Sequence, residues 1–138
     1  MIPKRHEGGC LCGAVRYAAT GAPLRVSVCH CTYCQRRTGS AFAIVMAFPK
    51  DDVQVRGETV THEHRSDVSG RWLRLHFCPR CGTTVTETTE KSPGTVIVQG
   101  GTLDDASWVR PQRQIWTRSR QAWLSLADIE SHEEAYRP

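Results

Sequence analysis

Short apolar or β-branched segments alternate with turn residues along most of the chain, at the roughly ten-residue spacing typical of antiparallel β-proteins. Breaks between them carry Gly or Pro, as at residues 21–23, 49–52 and 92–94. The pattern predicts strands at 15–18, 24–28, 42–48, 53–55, 59–65, 71–77, 83–88 and 95–98. We therefore expect a mainly β fold built from short antiparallel strands.

Helix is the minority structure in this pattern. Residues 32–38 predict one short helix, with Thr32 as its N-cap because a threonine hydroxyl can accept from the first free backbone N–H groups. Residues 126–136, rich in Asp and Glu, predict a second helical piece. The expected fold thus has one or two short helices.

Length and charge limit the classes of protein. The chain has 138 residues, which suits one domain over 1–138. It shows no apolar leader and no run of membrane-spanning length, so we expect a soluble, cytoplasmic protein without membrane contact. Lys and Arg number 18 against 14 Asp and Glu, a formal charge of +4, which favours acidic small molecules over nucleic acid.

Seven cysteines in three tight groups change this picture most. In a reducing compartment, paired cysteines bind metal more often than they form disulfides, and seven is an odd number. The groups are Cys10 with Cys12, then Cys29, Cys31 and Cys34, and finally Cys78 with Cys81. Their sizes of two, three and two allow one closed four-thiolate site and one site with a free coordination position.

The two outer pairs each provide half of a tetrahedral zinc site. Pro79 stiffens the Cys78 to Cys81 turn, and Gly82 permits a left-handed backbone just after it. Cys10 and Cys12 stand two apart, so in extended backbone both sulfurs point to one face. Neither pair can close a structural site alone, and together they can.

The central group supplies three thiolates from six residues. Cys29 and Cys31 share a face, and Cys34 follows one helical turn later. Three protein ligands and an open position are the arrangement of a catalytic zinc, and an external thiol is a natural fourth ligand. We therefore assign Cys29, Cys31 and Cys34 as the candidate catalytic residues.

Other arrangements fit the same spacing. His30 could complete the trio as a fourth ligand, although its side chain should point to the opposite face. The trio could also be metal-free redox thiols, but a redox couple needs only two cysteines. Finally, Cys29 and Cys31 could join Cys78 and Cys81, which would leave Cys34 beside an incomplete Cys10 and Cys12 pair. Spacing identifies the units and not their assembly.

These residues, in this order, resemble the glutathione-dependent formaldehyde-activating enzyme family, a Mss4-like fold that also includes centromere protein V. The matching segments are GCLCGAVRY at 9–17, CHCTYCQRR at 29–37, GSAF at 39–42, FCPRCGT at 77–83 and GGTLDD at 100–105. They span about residues 8–125. One departure is Gln114 before Ile115 and Trp116, where the family usually has histidine.

The resemblance implies two packed antiparallel sheets with zinc sites at strand edges. It implies a structural zinc on the outer pairs and a second zinc on the trio, near a thiol-binding cleft. The implied reaction is that of a carbon–sulfur lyase, read as addition of glutathione to formaldehyde to give S-hydroxymethylglutathione. A non-catalytic thiol carrier and a purely structural two-zinc interaction domain are the alternatives that the same residues allow.

Several residues outside the clusters are further candidates. Arg36 and Arg37 could bind the carboxylates of a glutathione-like thiol, or could be solvated residues of a helix face. His62 and His64 share a strand face, where surface or core roles outweigh metal binding. We expect core packing for the tryptophans and no nucleic acid at the arginines of the C-terminal part. These residues are Trp72, Trp108, Trp116 and Trp123, and Arg110, Arg113, Arg118 and Arg120.

Overall fold

Within residues 2–135, the part of the chain that the computed structural model describes, eleven strands form two sheets and one α-helix joins two of them. In chain order the elements are β1 (Arg5–Gly9), β2 (Arg16–Thr20), β3 (Arg25–Cys29), α1 (Thr32–Thr38), β4 (Ala43–Pro49), β5 (Val53–Arg56), β6 (Val60–Arg65), β7 (Trp72–Phe77), β8 (Thr84–Thr89), β9 (Thr95–Gln99), β10 (Arg113–Ile115) and β11 (Glu130–Ser131). The mainly β fold is confirmed, and each predicted strand overlaps an observed one.

The sheets differ in size and in strand direction. The smaller has the order β1-β2-β5 and is antiparallel, and the larger has the order β11-β10-β3-β4-β9-β8-β7-β6. At one edge of the larger sheet, β10 lies parallel to both β3 and β11. The antiparallel expectation therefore holds except at this edge, where the C-terminal part of the chain returns beside β3.

Three strands lay outside the sequence prediction. The residues of β1 are Arg, His, Glu and two Gly, so they show no apolar alternation, and the strand forms as an edge of the smaller sheet. The short strands β10 and β11 are equally polar. Pairing with an existing neighbour, and not intrinsic propensity, creates these strands.

The helix α1 forms at the predicted residues, but its cap differs. Cys31, not Thr32, is the N-cap, and its Sγ accepts from the Cys34 N–H at 3.3 Å. Gly39 ends the helix in the left-handed conformation at φ 65°, which glycine adopts without strain. The helix therefore begins on one cysteine of the central group and buries another, Cys34.

The predicted helix at 126–136 does not form over the described residues 126–135, and Tyr136 lies outside them. Asp128 has a left-handed backbone at φ 63°, which interrupts a right-handed helix. Glu130 and Ser131 extend instead beside β10. The acidic composition of this segment signals an exposed position here and not a helix.

Two apolar clusters lie beside the two cysteine groups. The larger contains Phe48, Met46, Val85 and Val98, all fully buried, together with Cys10 and Cys78. The smaller consists of Cys29, Cys34 and Ala43, with partly buried neighbours such as Ile115 and Trp116. One cysteine of each outer pair, Cys10 and Cys78, thus belongs to the main core, whereas the trio has a small core of its own.

Candidate metal centres and the adjoining cleft

The outer cysteine pairs meet in space. Cys10 and Cys12 lie in the link from β1 to β2, and Cys78 and Cys81 lie in the turn from β7 to β8. Their four Sγ atoms all lie within 4.8 Å of one another. The Cys10 to Cys12 and Cys12 to Cys78 sulfur distances are both 3.7 Å. A tetrahedral zinc with Zn–S bonds of about 2.3 Å separates its sulfurs by roughly 3.8 Å, so this group fits the ion.

Backbone and hydroxyl donors surround these sulfurs. Val15 N–H donates to Cys10 Sγ at 3.2 Å, and Arg80 N–H approaches Cys78 Sγ at 3.4 Å. Thr83 Oγ1 lies 3.2 Å from Cys81 Sγ, and hydrogen bonds from its hydroxyl and backbone lower the pKa of that thiol to about 5. Gly82 has φ 76°, the left-handed conformation expected after this turn. At Cys10 and Cys81 the donors favour the thiolate form that a metal requires.

The central trio forms a second, separate group. The sulfurs of Cys29, at the end of β3, Cys31, at the helix N-cap, and Cys34, inside α1, lie within 4.8 Å of one another. Within the described residues this group contains no fourth side-chain ligand. The partition that placed Cys29 and Cys31 with Cys78 and Cys81 is therefore wrong for this fold.

Negative charge concentrates on one sulfur of the trio. Hydrogen bonds from the Cys29 and Cys34 thiols, with the N–H groups of Cys34 and Tyr33, lower the pKa of Cys31 to about 3. The neighbouring Cys31 raises the pKa of Cys29 to about 12, and Cys29 and Cys31 together raise that of Cys34. The metal-free trio thus holds one thiolate shared with two thiols, and a soft divalent ion such as zinc would replace the two protons.

His30 points away from the trio, as its position between two same-face cysteines predicts. It is fully buried, and its Nε2 lies 2.8 Å from Gln114 Oε1. The Gln114 amide nitrogen donates to Leu126 O and Ser131 Oγ, so its oxygen faces the imidazole and His30 Nε2 carries the proton. His30 is thus a bonded core residue, and the group of possible ligands excludes it.

The C-terminal segment braces the loop that carries the trio. Ile115 pairs with Cys29 across β10 and β3, and Ile115 O accepts from His30 N–H at 3.1 Å. The Gln35 side chain donates to both His30 O, at 2.7 Å, and Ser119 O, at 2.9 Å. Residues far apart in the chain therefore fix the backbone around the three sulfurs.

Arg36 and Arg37 have opposite environments despite being neighbours. Arg36 is exposed and lines a cleft, where it remains a predicted contact for an acidic thiol. The Arg37 side chain is only 6% exposed and lies 3.6 Å from Glu87 and 3.1 Å from Gln99 Oε1. Its Nη2 also approaches Cys34 Sγ at 3.9 Å. Arg37 is therefore neither a solvated helix-face residue nor free to bind a carboxylate in the cleft.

The cleft beside α1 has a volume of about 630 Å³. Helix residues line one wall, and Trp123, 73% exposed, stands on the other. Its lining is Thr32, Gln35, Arg36, Gly39, Ser40, Ala41, Gln121 and Trp123. None of the three cysteines lines the cleft, but Thr32 follows Cys31 directly, so the helix that carries Cys34 also forms a wall of the cleft. The cleft offers polar and aromatic contacts to a small molecule.

The remaining candidates lie outside both sulfur groups. Neither His62 nor His64 belongs to a possible ligand set among the described residues, and His64 stacks on Tyr33 at 4.4 Å between ring centroids. Trp108 and Trp116 pack against the two clusters, as expected of core anchors, whereas Trp123 does not.

Trp72 and the C-terminal arginines have mixed surroundings. Trp72 is partly buried, and the guanidinium of Arg74 lies 3.8 Å from its ring centroid. Arg118 pairs with Glu134 at 2.8 Å, and Arg110 donates to the carbonyls of Ser107 and Val109. Of the other two arginines in that segment, Arg113 is partly buried in β10 and Arg120 is exposed.

Glu87 is the residue near the trio that sequence reasoning missed. It lies in β8 and is buried, and burial raises the pKa of its carboxyl while Arg37 opposes that rise. The one signal for its position is strand parity, since Glu87 stands two residues after the buried Val85. A charged residue on an apolar face of a predicted strand points to a buried partner.

The family follows from comparison with known proteins. The model of the family "Glutathione-dependent formaldehyde-activating enzyme" matches residues 5–119, so the chain belongs to this family. A protein of Halomonas elongata named "Putative glutathione-dependent formaldehyde-activating enzyme" is 26% identical over 133 residues, covering 93% of this chain and 83% of its own length.

A solved structure supports the architecture. The crystal structure of a Rhodobacter sphaeroides protein covers 76% of this chain and 91% of its own, with 24% identity and a TM-score of 0.57. This likeness concerns the fold alone. Among the described residues, no helix combines the length and the apolar character needed to cross a membrane.

Proposed function

We propose that this protein is a zinc-dependent enzyme of the carbon–sulfur lyase type, acting on adducts of a small thiol such as glutathione with an aldehyde. The observation that carries the proposal is the three-sulfur group, which has no fourth side-chain ligand among residues 2–135, at the start of a helix that also lines a cleft of about 630 Å³. Family membership and the relative's printed name support glutathione and formaldehyde as the first substrates to test.

In this proposal the two sulfur groups have different tasks. The outer pairs would hold a structural zinc, and Cys29, Cys31 and Cys34 would hold a second one. A zinc ion on the trio would supply an open position for the substrate sulfur and would stabilise its thiolate form. The cleft residues would bind the rest of the thiol, with Arg36 facing a carboxylate.

The reaction is balanced without any other reactant. The thiol gives up its proton, and its sulfur donates an electron pair to the carbonyl carbon, so that a carbon–sulfur bond forms. The carbonyl π pair moves to oxygen, which takes up a proton and becomes the hydroxyl of the adduct. The lyase direction breaks the same carbon–sulfur bond and returns the proton to sulfur.

One observation favours the alternative of a non-catalytic thiol carrier. His30, the nearest residue able to act as a base in sequence, is buried on the other side of the loop and bonded to Gln114. General acid–base catalysis needs a group within hydrogen-bond reach of the moving proton. A carrier would bind the thiol at the trio without accelerating its reaction.

The seven free thiols bear on where in the cell the protein works. Cysteines that serve as metal ligands need a reducing compartment, so we propose a cytoplasmic location. A purely structural two-zinc domain remains the third possibility, and it predicts no thiol binding at all.

Exchange NMR of formaldehyde with glutathione, with and without the protein, tests the proposal. Faster formation of the hydroxymethyl adduct than in buffer, lost in Cys34→Ser, is the expected result. Thiol binding without acceleration would support the carrier. Two bound metals without thiol binding would overturn both readings and leave the structural domain.

A further inference from the structure

We infer that Arg37 is a positioning residue that acts through Cys34, raising the affinity of the three-cysteine site for an anionic sulfur ligand, while Glu87 holds and partly offsets its charge. This inference rests on the proposed function, since it concerns the open position of that site. It assigns to a buried pair a task that neither the cysteine motif nor the cleft requires.

The geometry brings the guanidinium to the sulfur. Arg37 stands three residues after Cys34 in α1, a spacing that puts both side chains on one helix face. Its Nη2 lies 3.9 Å from Cys34 Sγ, 3.1 Å from Gln99 Oε1 and 3.6 Å from a Glu87 oxygen. Its guanidinium carbon also lies 5.8 Å from the centre of the Tyr33 ring. Partners on α1, β8 and β9 thus fix its direction.

The energetic cost of this pair calls for a reason. The Arg37 and Glu87 side chains are each 6% exposed. Burying two opposite charges costs about as much as their attraction returns, and apolar residues of similar size often stabilise a core equally well. A third partner changes this balance, because the cation also faces a sulfur that carries negative charge whenever the site is loaded.

Charge at the site explains the benefit. Three thiolates on a divalent ion leave a net charge of −1, and an incoming thiolate makes it −2. A cation about 4 Å from one of these sulfurs lowers the cost of that second charge by an amount that the buried environment enlarges. Glu87 works in the opposite direction, because its carboxylate offsets part of the charge of Arg37.

Opposite effects of two variants test the inference. Cobalt-loaded protein is titrated with 2-mercaptoethanol, which has no carboxylate and so makes no use of Arg36. Thiolate-to-cobalt absorption reports binding at the trio, and the band of the four-cysteine site in the same sample reports the fold. We expect Arg37→Met to weaken thiol binding about tenfold or more, by loss of one charge at short range.

Glu87→Gln should strengthen the same binding severalfold. The amide keeps the size of the carboxyl and an oxygen that accepts from Arg37, but it removes the offsetting charge. Arg37→Lys, which keeps the charge without the planar fork, should recover part of the loss. The exposed pair Arg74 and Glu63, with a 3.0 Å contact, supplies Arg74→Met and Glu63→Gln as matched controls that should change nothing.

A merely structural role gives a different result. If the pair only stabilises the fold, both Arg37→Met and Glu87→Gln weaken thiol binding and lower the melting temperature together. That outcome, or no change in either variant, overturns the inference. Opposite signs at an unchanged four-cysteine band support it.

A second readout separates this inference from the proposed function. If the wild type binds a single cobalt ion, the two-site proposal fails. In that protein the trio is tested by its reaction with the anionic disulfide reagent DTNB relative to neutral dithiodipyridine. A ratio lowered by Arg37→Met and raised by Glu87→Gln supports the inference, and an unchanged ratio rejects it.

Discussion

The two cysteine groups differ in the length of chain that they connect. Cys12 and Cys78, whose sulfurs are 3.7 Å apart, are separated by 66 positions, and they join the smaller sheet to the turn between β7 and β8. The trio joins only residues 29–34. A metal that closes a long loop offsets much conformational entropy, whereas one that closes a local turn offsets little.

The surroundings of the groups differ in the same sense. Cys78 is fully buried and packs in the main core with Cys10 and Val85. The trio lies in a small separate cluster, beside a buried ion pair and at the start of a helix that lines a cleft. These differences support the proposal that one group holds the fold and that the other binds a ligand.

Cys78→Ser should damage the whole protein. It removes a fully buried ligand of the four-cysteine site, and because structural zinc binding contributes directly to folding free energy, the melting temperature should fall by more than about 10 °C. Calorimetry with and without a chelator measures this loss. A variant that melts like the wild type while keeping one metal would show that the site is not structural.

Cys34→Ser should remove one metal and leave the fold. We expect the bound zinc to fall from two ions to one, with loss of thiol binding and a melting temperature changed by less than about 5 °C, since only a local turn is released. Metal analysis and calorimetry on the same sample check both parts. Unfolding as severe as that of Cys78→Ser would contradict the division of roles.

Gln114→Leu should weaken metal binding at the trio and leave metal binding at the four-cysteine site unchanged. The substitution leaves the Nε2–H of His30 buried without an acceptor, which costs about 1–3 kcal/mol of unfolding free energy. Urea unfolding measures this cost, and cobalt titration should show weaker binding at the trio alone.

Gln112→Leu is the matched control for that experiment. Gln112 is exposed, and its Oε1 accepts from the N–H of the buried Val26 at 3.2 Å, so its loss should also cost about 1–3 kcal/mol of unfolding free energy. The contact lies three residues before Cys29 in β3, so metal binding at the trio should stay unchanged. Equal effects of the two variants on the trio would mean that the Gln114 contact to His30 does not support the metal site.

Local chemistry explains which parts of this structure the sequence could predict. Strands with apolar alternation, the helix at 32–38 and the cysteine units all follow from neighbouring residues. The polar strand β1 and the parallel pairing of β10 depend on partners far along the chain.

The opposite directions of Arg36 and Arg37 also escaped prediction. Both follow Cys34 in a basic pair, and only the tertiary positions of Glu87 and Gln99 decide which of them turns inward. The cleft had no sequence signal of its own, because Trp123 and Gln121 reach α1 from the C-terminal segment. Long-range contacts therefore define what the cysteine motif alone leaves open.

The order of metal release in acid gives the finest test of the comparison. Protons compete with the metal for the thiolates, so affinity falls as pH falls, and it falls first where more thiols bind protons tightly. In the trio, the pKa is about 12 for Cys29, because of the neighbouring Cys31, and that of Cys34 is raised by Cys29 and Cys31. Within the trio, only the pKa of Cys31 is lowered, to about 3, by hydrogen bonds from the Cys29 and Cys34 thiols.

In the four-cysteine site the pKa values of two thiols are lowered and that of one is raised. Although the Ala14 N–H opposes it, burial and the neighbouring cysteines raise the pKa of Cys12 to about 11. Hydrogen bonds from Thr83 bring the pKa of Cys81 to about 5, and although burial opposes it, the Val15 N–H contributes to lowering that of Cys10. We therefore expect the trio, in which two of three thiols have raised pKa values, to lose its metal at a higher pH than the four-cysteine site does. An acid titration of the dicobalt protein, in which the thiolate-to-cobalt absorption bands of the two sites are followed separately, measures this order. Release from the four-cysteine site first would show that its fourth ligand and its two lowered thiols do not protect its metal from acid better than the trio protects its own.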